Sequence, residues 1–423
     1  MTDPLSTIKP GPGRLLRELD LAPPAELHEV CGAWLRHHLG ARSCILLLAD
    51  YGETTLEAVT NGSAAGGAGM RRYDIADSPA GLAYRQQRTV RREQPDRDGT
   101  GTQRVVYLPV TIRTERLGVL VVGLPDQTVT REVEEILDDV AHVIAYFLTG
   151  ARRYTDRFEM LRRRQDLSLA AEIQWELLPS LAYELPGLSI AGSLEPAYDI
   201  GGDTFDYAVS AERLTVSITD AVGHGLRAAM LGSLAVTAMR NARRSHAPIL
   251  AQAVAANQHL AEQFPGPSWV TGLLMQMEVA TGTGVIINAG HPPPLLLRDS
   301  TVTTLRLPPN SPLGLSPGTE YRLHPVELRP DDRLLLLTDG IFEAHHVRGP
   351  FFGLDRVIHM LATHSRLPPV EFVRHLTHAV MEFRSGKLAD DATAVCLDWH
   401  PSIRRTTHTP DSPDPARNGP AGP

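Results

Sequence analysis

The sequence has 423 residues, enough for two or three domains, and its 42% hydrophobic and 21% charged residues are typical of a soluble globular protein. No run approaches the ~18 consecutive apolar residues of a membrane-spanning helix, and the N-terminus does not resemble a secretory signal, so we expect a cytoplasmic protein without membrane contact. The net charge of −8 argues against nucleic-acid binding, and the three separated cysteines indicate neither a disulfide framework nor a zinc site.

Composition and periodicity divide the chain into five segments. Both ends are rich in proline and glycine, which is typical of disordered chain. The segments are an N-terminal disordered stretch, a sensor-like α/β domain, a connector helix, a larger α+β domain and a disordered tail, over residues 1–24, 25–149, 150–180, 181–399 and 400–423.

Secondary structure in the first domain follows from apolar spacing and turn residues. The elements expected in chain order are a helix from Leu27, strands over 43–49 and 55–60, a helix capped by Ser78-Pro79, a hairpin over 105–122 and an amphipathic helix opened by Thr130. This order resembles a GAF domain, with SPAGLAYRQQRTV (78–90) and YLPVTIRTERLGVLVVG (107–123) as the matching stretches. The resemblance implies a pocket for a nucleotide or other small molecule, or a dimer contact. The ligand is not identified, and we expect a homodimer.

The connector is dense in arginine up to Arg164, and its apolar residues Leu161, Leu169, Ile173 and Leu177 are separated by multiples of four. This spacing predicts one helix with a continuous apolar ridge. Two roles remain open for it, docking on its own domain or acting as a dimerising or signal-carrying helix.

The larger domain alternates strands and helices, and its many hairpins predict mostly antiparallel sheets with helices outside. Strands are expected at 214–219, 271–279, 285–289, 333–338 and 393–397. Helices are expected at 226–241, 249–264, 354–363 and 369–383.

Four acidic motifs of this domain lie at strand ends or turns: Gly-Gly-Asp (201–203), Asp-Ala-Val-Gly-His-Gly (220–225), Thr-Asp-Gly (338–340) and Asp-Asp-Ala-Thr (390–393). Glycine beside an aspartate lets the backbone turn sharply and leaves room for an ion, although a single Asp-Gly pair is more often only a turn. Clustered carboxylates are costly unless cations neutralise them, and hard ions such as Mg²⁺ or Mn²⁺ suit oxygen ligands. Two such ions can position a hydroxide against phosphorus, so the set predicts metal-assisted hydrolysis of a phosphoester.

An ordered series of motifs makes the resemblance specific. It comprises AEIQWELLP (171–179), GGDTFD (201–206), DAVGHG (220–225), GHPP (290–293), PLGL (312–315), TDGIFE (338–343), FG (352–353) and DDAT (390–393). Together these resemble the metal-dependent protein phosphatase (PPM, 2C-type) family in its branch similar to stage II sporulation protein E. The family implies a pair of β-sheets flanked by helices, with a binuclear Mn²⁺ or Mg²⁺ centre.

The resemblance also implies site residues. Asp203 and Asp220 would bind metal, with Asp220 bridging both ions, and Asp339 and Asp390 would complete the shell of the second ion. The carbonyl of Ala221 is a further candidate ligand. His224 is a candidate acid for the leaving seryl oxygen, although its spacing from Asp220 differs from that in eukaryotic relatives, and a role at the start of a helix is the alternative. Structural roles are expected for Asp206 and His291.

The implied function is that of a protein serine/threonine phosphatase regulated by its GAF domain. Its implied substrate is a phosphorylated protein, of the anti-anti-sigma type in this branch. A catalytically silent signalling scaffold is the alternative, against which the presence of all four aspartates argues. A metal-dependent nuclease or phosphodiesterase is disfavoured by the acidic net charge.

Overall fold

The structure of the chain is a computed structural model. It describes residues 12–60, 72–95, 102–125, 128–195, 201–210, 212–345, 349–384 and 391–400. Within these ranges, no helix is both long and apolar enough to cross a membrane.

The N-terminal domain contains one six-stranded antiparallel sheet with helices on both faces. Its elements are α1 (Pro12–Leu21), a 3₁₀ helix (Pro24–Glu26), α2 (Leu27–Leu39), β1 (Ser43–Ala49), β2 (Thr55–Ala58), β3 (Arg72–Asp74), α3 (Pro79–Gln86), β4 (Val90–Pro95), β5 (Thr102–Ile112), β6 (Glu115–Pro125) and α4 (Arg131–Ala151). The strand order is β3-β2-β1-β6-β5-β4. The predicted cap of α3 is confirmed, since Ser78 Oγ accepts a hydrogen bond from the Gly81 N–H at 2.9 Å.

Helix α1 lies in the segment that the sequence analysis expected to be disordered. Leu15 and Leu19 are buried in the core formed by α1, α2, α4 and one face of the sheet. Burying these leucines offsets the entropy of ordering the segment, so the expectation is wrong for residues 12–21. Residues 1–11 and 401–423, also expected to be disordered, lie outside the described residues.

The connector is divided into two short helices, α5 (Arg157–Arg162) and α6 (Leu169–Leu177), and is therefore not the single helix that was expected. Arg157 and Arg162 donate hydrogen bonds to the backbone carbonyls of Ala25 and Ala49, which hold α5 against the N-terminal domain. Leu169 is 63% exposed, so the apolar residues do not form one continuous ridge.

The C-terminal domain is a sandwich of two antiparallel sheets with a pair of helices over each outer face, which confirms the predicted architecture. Its elements are β7 (Ala182–Leu185), β8 (Leu188–Glu195), β9 (Thr204–Val209), β10 (Arg213–Ala221), α7 (Leu226–Arg244), α8 (Ile249–Gln263), β11 (Val270–Glu278), β12 (Thr283–Ala289), β13 (Leu295–Arg298), β14 (Thr301–Thr304), β15 (His324–Glu327), β16 (Asp332–Leu337), α9 (Asp339–Phe342), α10 (Leu354–Thr363), α11 (Pro369–Phe383) and β17 (Ala392–Trp399). The strand orders are β15-β12-β11-β10-β9 and β14-β13-β16-β17-β8-β7. Phe205, Ile218 and Leu336 are among the residues buried between the sheets.

The two domains contact each other through charged side chains. Arg116 of β6 lies 2.6 Å from Glu371 of α11, and Arg374 of α11 lies 3.4 Å from Glu53. Helix α11 packs against β8 and β17 of the second sheet. The N-terminal domain therefore rests on a helix that covers the sheet containing β17.

Candidate active site

Strand pairing places Asp203 beside Asp220. Asp203 precedes β9, and Asp220 lies near the end of β10. The antiparallel register pairs Thr204 with Thr219, so the next positions outward are the two aspartates. Asp203 is 2% exposed, and burial raises the pKa of its carboxyl well above the ordinary range. The negative charges of Asp220 and Asp391 raise this pKa further.

Three polar side chains from other elements surround the Gly201–Asp203 turn. Thr338 Oγ1, just before α9, donates a hydrogen bond to Asp203 Oδ2 at 2.6 Å. Gln174 Nε2, from α6, donates to the Asp203 carbonyl, also at 2.6 Å. Asp391, just before β17, accepts hydrogen bonds from the backbone N–H groups of the turn. Asp203 is thus held by groups from the connector and the second sheet.

Two glycines of the motifs permit close backbone contacts at this edge. A Cβ on Gly202 would lie 2.5 Å from the carbonyl oxygen of Ala221, and a Cβ on Gly340 would lie 1.7 Å from that of Asp391. Both distances are far below ordinary contact, so a side chain at either position would push the turns apart. Each glycine is therefore needed because two segments of the same sheet approach closely, Gly202 meeting the end of β10 and Gly340 meeting the residue before β17.

The remaining predicted residues are placed as follows. Asp339 is the first residue of α9 and is half-buried, directly after the Thr338 that binds Asp203. His224 is exposed in the turn before α7, and a Cβ on Gly201 would lie 3.4 Å from its Cα. Asp390 lies outside the described residues. The ligand roles of Asp203, Asp220, Ala221, Asp339 and Asp390, and the proton-donor role of His224, stay predictions.

The donor set suits a hard divalent cation. After burial, the groups with the largest effects on the pKa of Asp203 are two carboxylates and two threonine hydroxyls, none of them cationic. Oxygen donors without cysteine or histidine favour Mg²⁺ or Mn²⁺. Among the described residues, no three or more His, Cys, Asp or Glu side chains are arranged so that they could hold a metal ion, and Asp390 is not among these residues.

His291 and Asp206 have buried positions near this site. Thr271, which pairs with Asp220 across β10 and β11, has its Oγ1 2.8 Å from Nδ1 of His291. Burial lowers the pKa of His291 to about 3, so its imidazole is neutral near pH 7 and does not serve as a proton donor. Asp206 pairs with Arg240 at 2.7 Å and with Arg243 at 2.9 Å. These ion pairs join β9 to α7, so the Asp206 carboxylate has a structural role.

Sequence reasoning did not identify three of the supporting residues, Gln174, Thr338 and Asp391. All three lie inside motifs of the ordered series, and Asp391 also adjoins a predicted ligand. The sequence signal that could have identified these residues was their presence in the motifs, where Gln174 and Thr338 each interrupt an apolar run. Nothing in that signal indicates which distant group the side chain meets.

Residues 210–400 match the model of the Stage II sporulation protein E (SpoIIE) family, and residues 34–148 match the model of the GAF domain. These matches confirm both resemblances drawn from the motifs, although Gln174 and Asp203 precede the first matched range. The chain is also similar to phosphoserine phosphatase RsbU of Bacillus subtilis (strain 168), with 22% identity over 291 residues that cover 68% of this chain and 85% of RsbU.

Two further similarities each cover about half of this chain. Phosphoserine phosphatase RsbP of the same organism is 25% identical over 189 residues, 43% of this chain and 46% of RsbP, so the chain spans less than half of that protein. The structure of the SiaA-PP2C domain of Pseudomonas aeruginosa aligns at 21% identity with a TM-score of 0.47, covering 54% of this chain and 94% of that domain.

Proposed function

We propose that this chain, whose residues 210–400 match the SpoIIE family model and whose residues 34–148 match the GAF domain model, is a metal-dependent protein serine/threonine phosphatase under GAF control. The observation that carries the proposal is the placement of Asp203 against Asp220 at the edge where the two sheets meet. The names of the relatives RsbU and RsbP support phosphoserine as the hydrolysed group.

The residues have distinct roles in this proposal. Asp203, Asp220, Asp339, Asp390 and the Ala221 carbonyl would hold two Mn²⁺ or Mg²⁺ ions, with Asp220 bridging them. The bound pair would supply Lewis-acid activation of water and neutralise charge on the phosphate. The reaction consumes one water and yields the free seryl hydroxyl and inorganic phosphate.

The chain's own residues would position the reacting groups. Thr338 orients the Asp203 carboxylate through its 2.6 Å hydrogen bond. His224 is exposed beside the Gly201–Asp203 turn, from which it would donate a proton to the leaving seryl oxygen. Its solvent-facing position also allows a protein-borne phosphoserine to approach.

The substrate that we propose is a phosphorylated protein of the anti-anti-sigma type, which rests on the resemblance to the sporulation branch. Regulation would pass through the docked domains. One route is helix α11, which pairs with Glu53 and Arg116 of the N-terminal domain and packs on the sheet that contains β17. The other route is α6, in which the Trp175 ring lies 4.6 Å from the Tyr51 ring between centroids. The neighbouring Gln174 of α6 donates its hydrogen bond to the carbonyl of Asp203. A change in the GAF domain would reach the carboxylates by either route.

Replacing Asp220 by asparagine tests the enzymatic proposal. We expect wild-type protein to release phosphate from a phosphoserine protein only with Mn²⁺ or Mg²⁺, and Asp220→Asn to lose at least about 100-fold in kcat/KM because the bridging carboxylate is removed. Asp331→Asn, an equal charge change at an 85% exposed side chain, is the matched control and should retain full activity.

Three outcomes separate the alternatives. Activity in Asp220→Asn equal to that of the control would remove the metal assignment. Wild-type protein that is inactive with either ion on all phosphoproteins tested, yet binds them, would favour the silent scaffold. Faster cleavage of a phosphodiester than of a phosphomonoester would favour the nuclease or phosphodiesterase.

A further inference from the structure

Asp391 makes an unusually complete set of hydrogen bonds with one turn. Its Oδ2 accepts hydrogen bonds from the N–H groups of Gly201, Gly202 and Asp203 at 2.6, 2.7 and 3.1 Å. The same Gly201 N–H is shared with Oδ1 at 2.7 Å, as a bifurcated hydrogen bond. Asp391 is only 4% exposed, so these hydrogen bonds are largely shielded from water.

This arrangement directs Oδ2 of Asp391 entirely to the turn. An ionised carboxylate offers about four lone-pair sites, and the turn supplies three N–H donors, all of which reach Oδ2 while one is shared with Oδ1. Hydrogen bonds from backbone amides to an ionised carboxylate are stronger than those between neutral groups. They also offset the cost of placing a negative charge beside Asp203 and Asp220.

The backbone of Asp391 is fixed as well. The Gly340 Cα packs so close to the Asp391 carbonyl that a Cβ would lie 1.7 Å from its oxygen, and Thr393, two residues further, bonds through its N–H to Thr338 Oγ1 at 3.0 Å. The same Thr338 hydroxyl donates to Asp203. Asp391 is therefore held on one side by the Thr338 segment and binds the Gly201–Asp203 turn on the other.

We propose that Asp391 is a positioning residue, which holds the Gly201–Asp203 turn so that the Asp203 carboxylate is directed toward the ions, and that it is not itself a metal ligand. The proposal rests on the proposed function and divides the roles of the Asp390-Asp391 pair. Asp390 remains the predicted ligand, and Asp391 acts through the main chain of Asp203.

The test is Asp391→Asn in the full chain. Asparagine keeps the shape but presents one acceptor oxygen, and its NH₂ group would face the N–H of the turn. We expect faster hydrogen exchange at the amides of residues 201–203 in metal-free protein, measured by mass spectrometry of peptides that span the turn. We also expect Mn²⁺ affinity, measured by calorimetry, to fall about 10–100-fold, with a smaller loss of kcat at saturating Mn²⁺.

Asp398→Asn is the matched control. Asp398 lies in β17, the strand that directly follows Asp391, and is also buried, but it pairs with Arg333 at 2.6 Å, away from the turn. This variant should lose stability without changing exchange at 201–203 or Mn²⁺ affinity. If exchange in Asp391→Asn rises equally throughout the domain, the residue has only a general structural role and the proposal fails.

Two further results would overturn it. Unchanged exchange at 201–203 would show that the turn does not depend on Asp391. Complete loss of one of two bound Mn²⁺ ions, with exchange unchanged, would make Asp391 a ligand. Failure of the phosphatase proposal is distinguished by the wild-type protein, which would then show no Mn²⁺-dependent release of phosphate.

Discussion

The buried His291 predicts a specific loss of stability in acid. Burial lowers its pKa to about 3 in the folded chain, whereas an unfolded histidine titrates near 6.5. Between these values the unfolded chain binds the proton and the folded chain does not. The stability that the neutral, buried His291 contributes to the folded chain is therefore fully present above about pH 6.5 and is lost progressively as the pH falls toward 3.

The magnitude follows from the size of the interval. Each pH unit below about 6.5 removes about 1.4 kcal/mol, so wild-type protein should lose about 2 kcal/mol from this residue between pH 6.5 and 5. His291→Gln has no titrating group, so it should be less stable at pH 7.5 but lose less on acidification. The difference in the free energy of unfolding between wild type and His291→Gln should narrow by about 2 kcal/mol from pH 7.5 to 5.

Urea unfolding at a series of pH values measures this gap. A chelator is included so that competition between protons and metal does not contribute. Thr271→Val is the matched control, because it removes the hydroxyl 2.8 Å from Nδ1 but retains the imidazole, so its stability should stay parallel to wild type. Burial also lowers the pKa of His375 and His378, but these residues are present in every protein compared. A gap between wild type and His291→Gln that is constant from pH 7.5 to 5 would refute the reasoning.

Two further predictions concern the site and the domain interface. Gly340→Ala places a Cβ 1.7 Å from the Asp391 carbonyl oxygen and should cost about 1–3 kcal/mol of stability together with most of the activity. Gly150→Ala is the control, because its Cβ would have no atom within 4 Å, and it should be neutral or stabilising in a thermal melt. Equal melting temperatures for the two variants would contradict this. Replacing Arg116 and Arg374 together by glutamine should undock the domains and change the steady-state phosphatase rate at least about 3-fold, since the pairs that join α11 to the N-terminal domain are lost. An unchanged rate in protein that small-angle scattering finds extended would exclude regulation through this interface.

Local pattern predicted much of the fold. Helices α10 and α11 have the bounds that were expected from apolar spacing, and β10, β11 and β16 differ from expectation by two residues or fewer at each end. The sequence analysis did not predict strand β8, because Ile190 is the one strong strand former in LSIAGSLE. Its Gly192 is required by a neighbour, since a Cβ there would lie 2.4 Å from the Phe205 ring.

The connector and α1 show where local pattern fails. Spacing by multiples of four favoured one helix, but the arginines of α5 bind carbonyls of the N-terminal domain, and that tertiary contact divides the segment. In α1, the flanking prolines and glycines indicated disorder, yet two leucines reach a core assembled mainly from α2, α4 and the sheet. In both cases the partner that decides the conformation lies far along the chain.

By itself, the sequence determined the domain classes and the order of the motifs, and it predicted the chemistry of the candidate site, because residue type and short spacing are local properties. Only the tertiary structure decided that Asp391 binds a turn 190 residues away and that Gln174 holds the carbonyl of Asp203. The physical reason is that a hydrogen bond depends on distance and direction between two atoms. For residues so far apart in the chain, these are set by how the two sheets and the connector pack together.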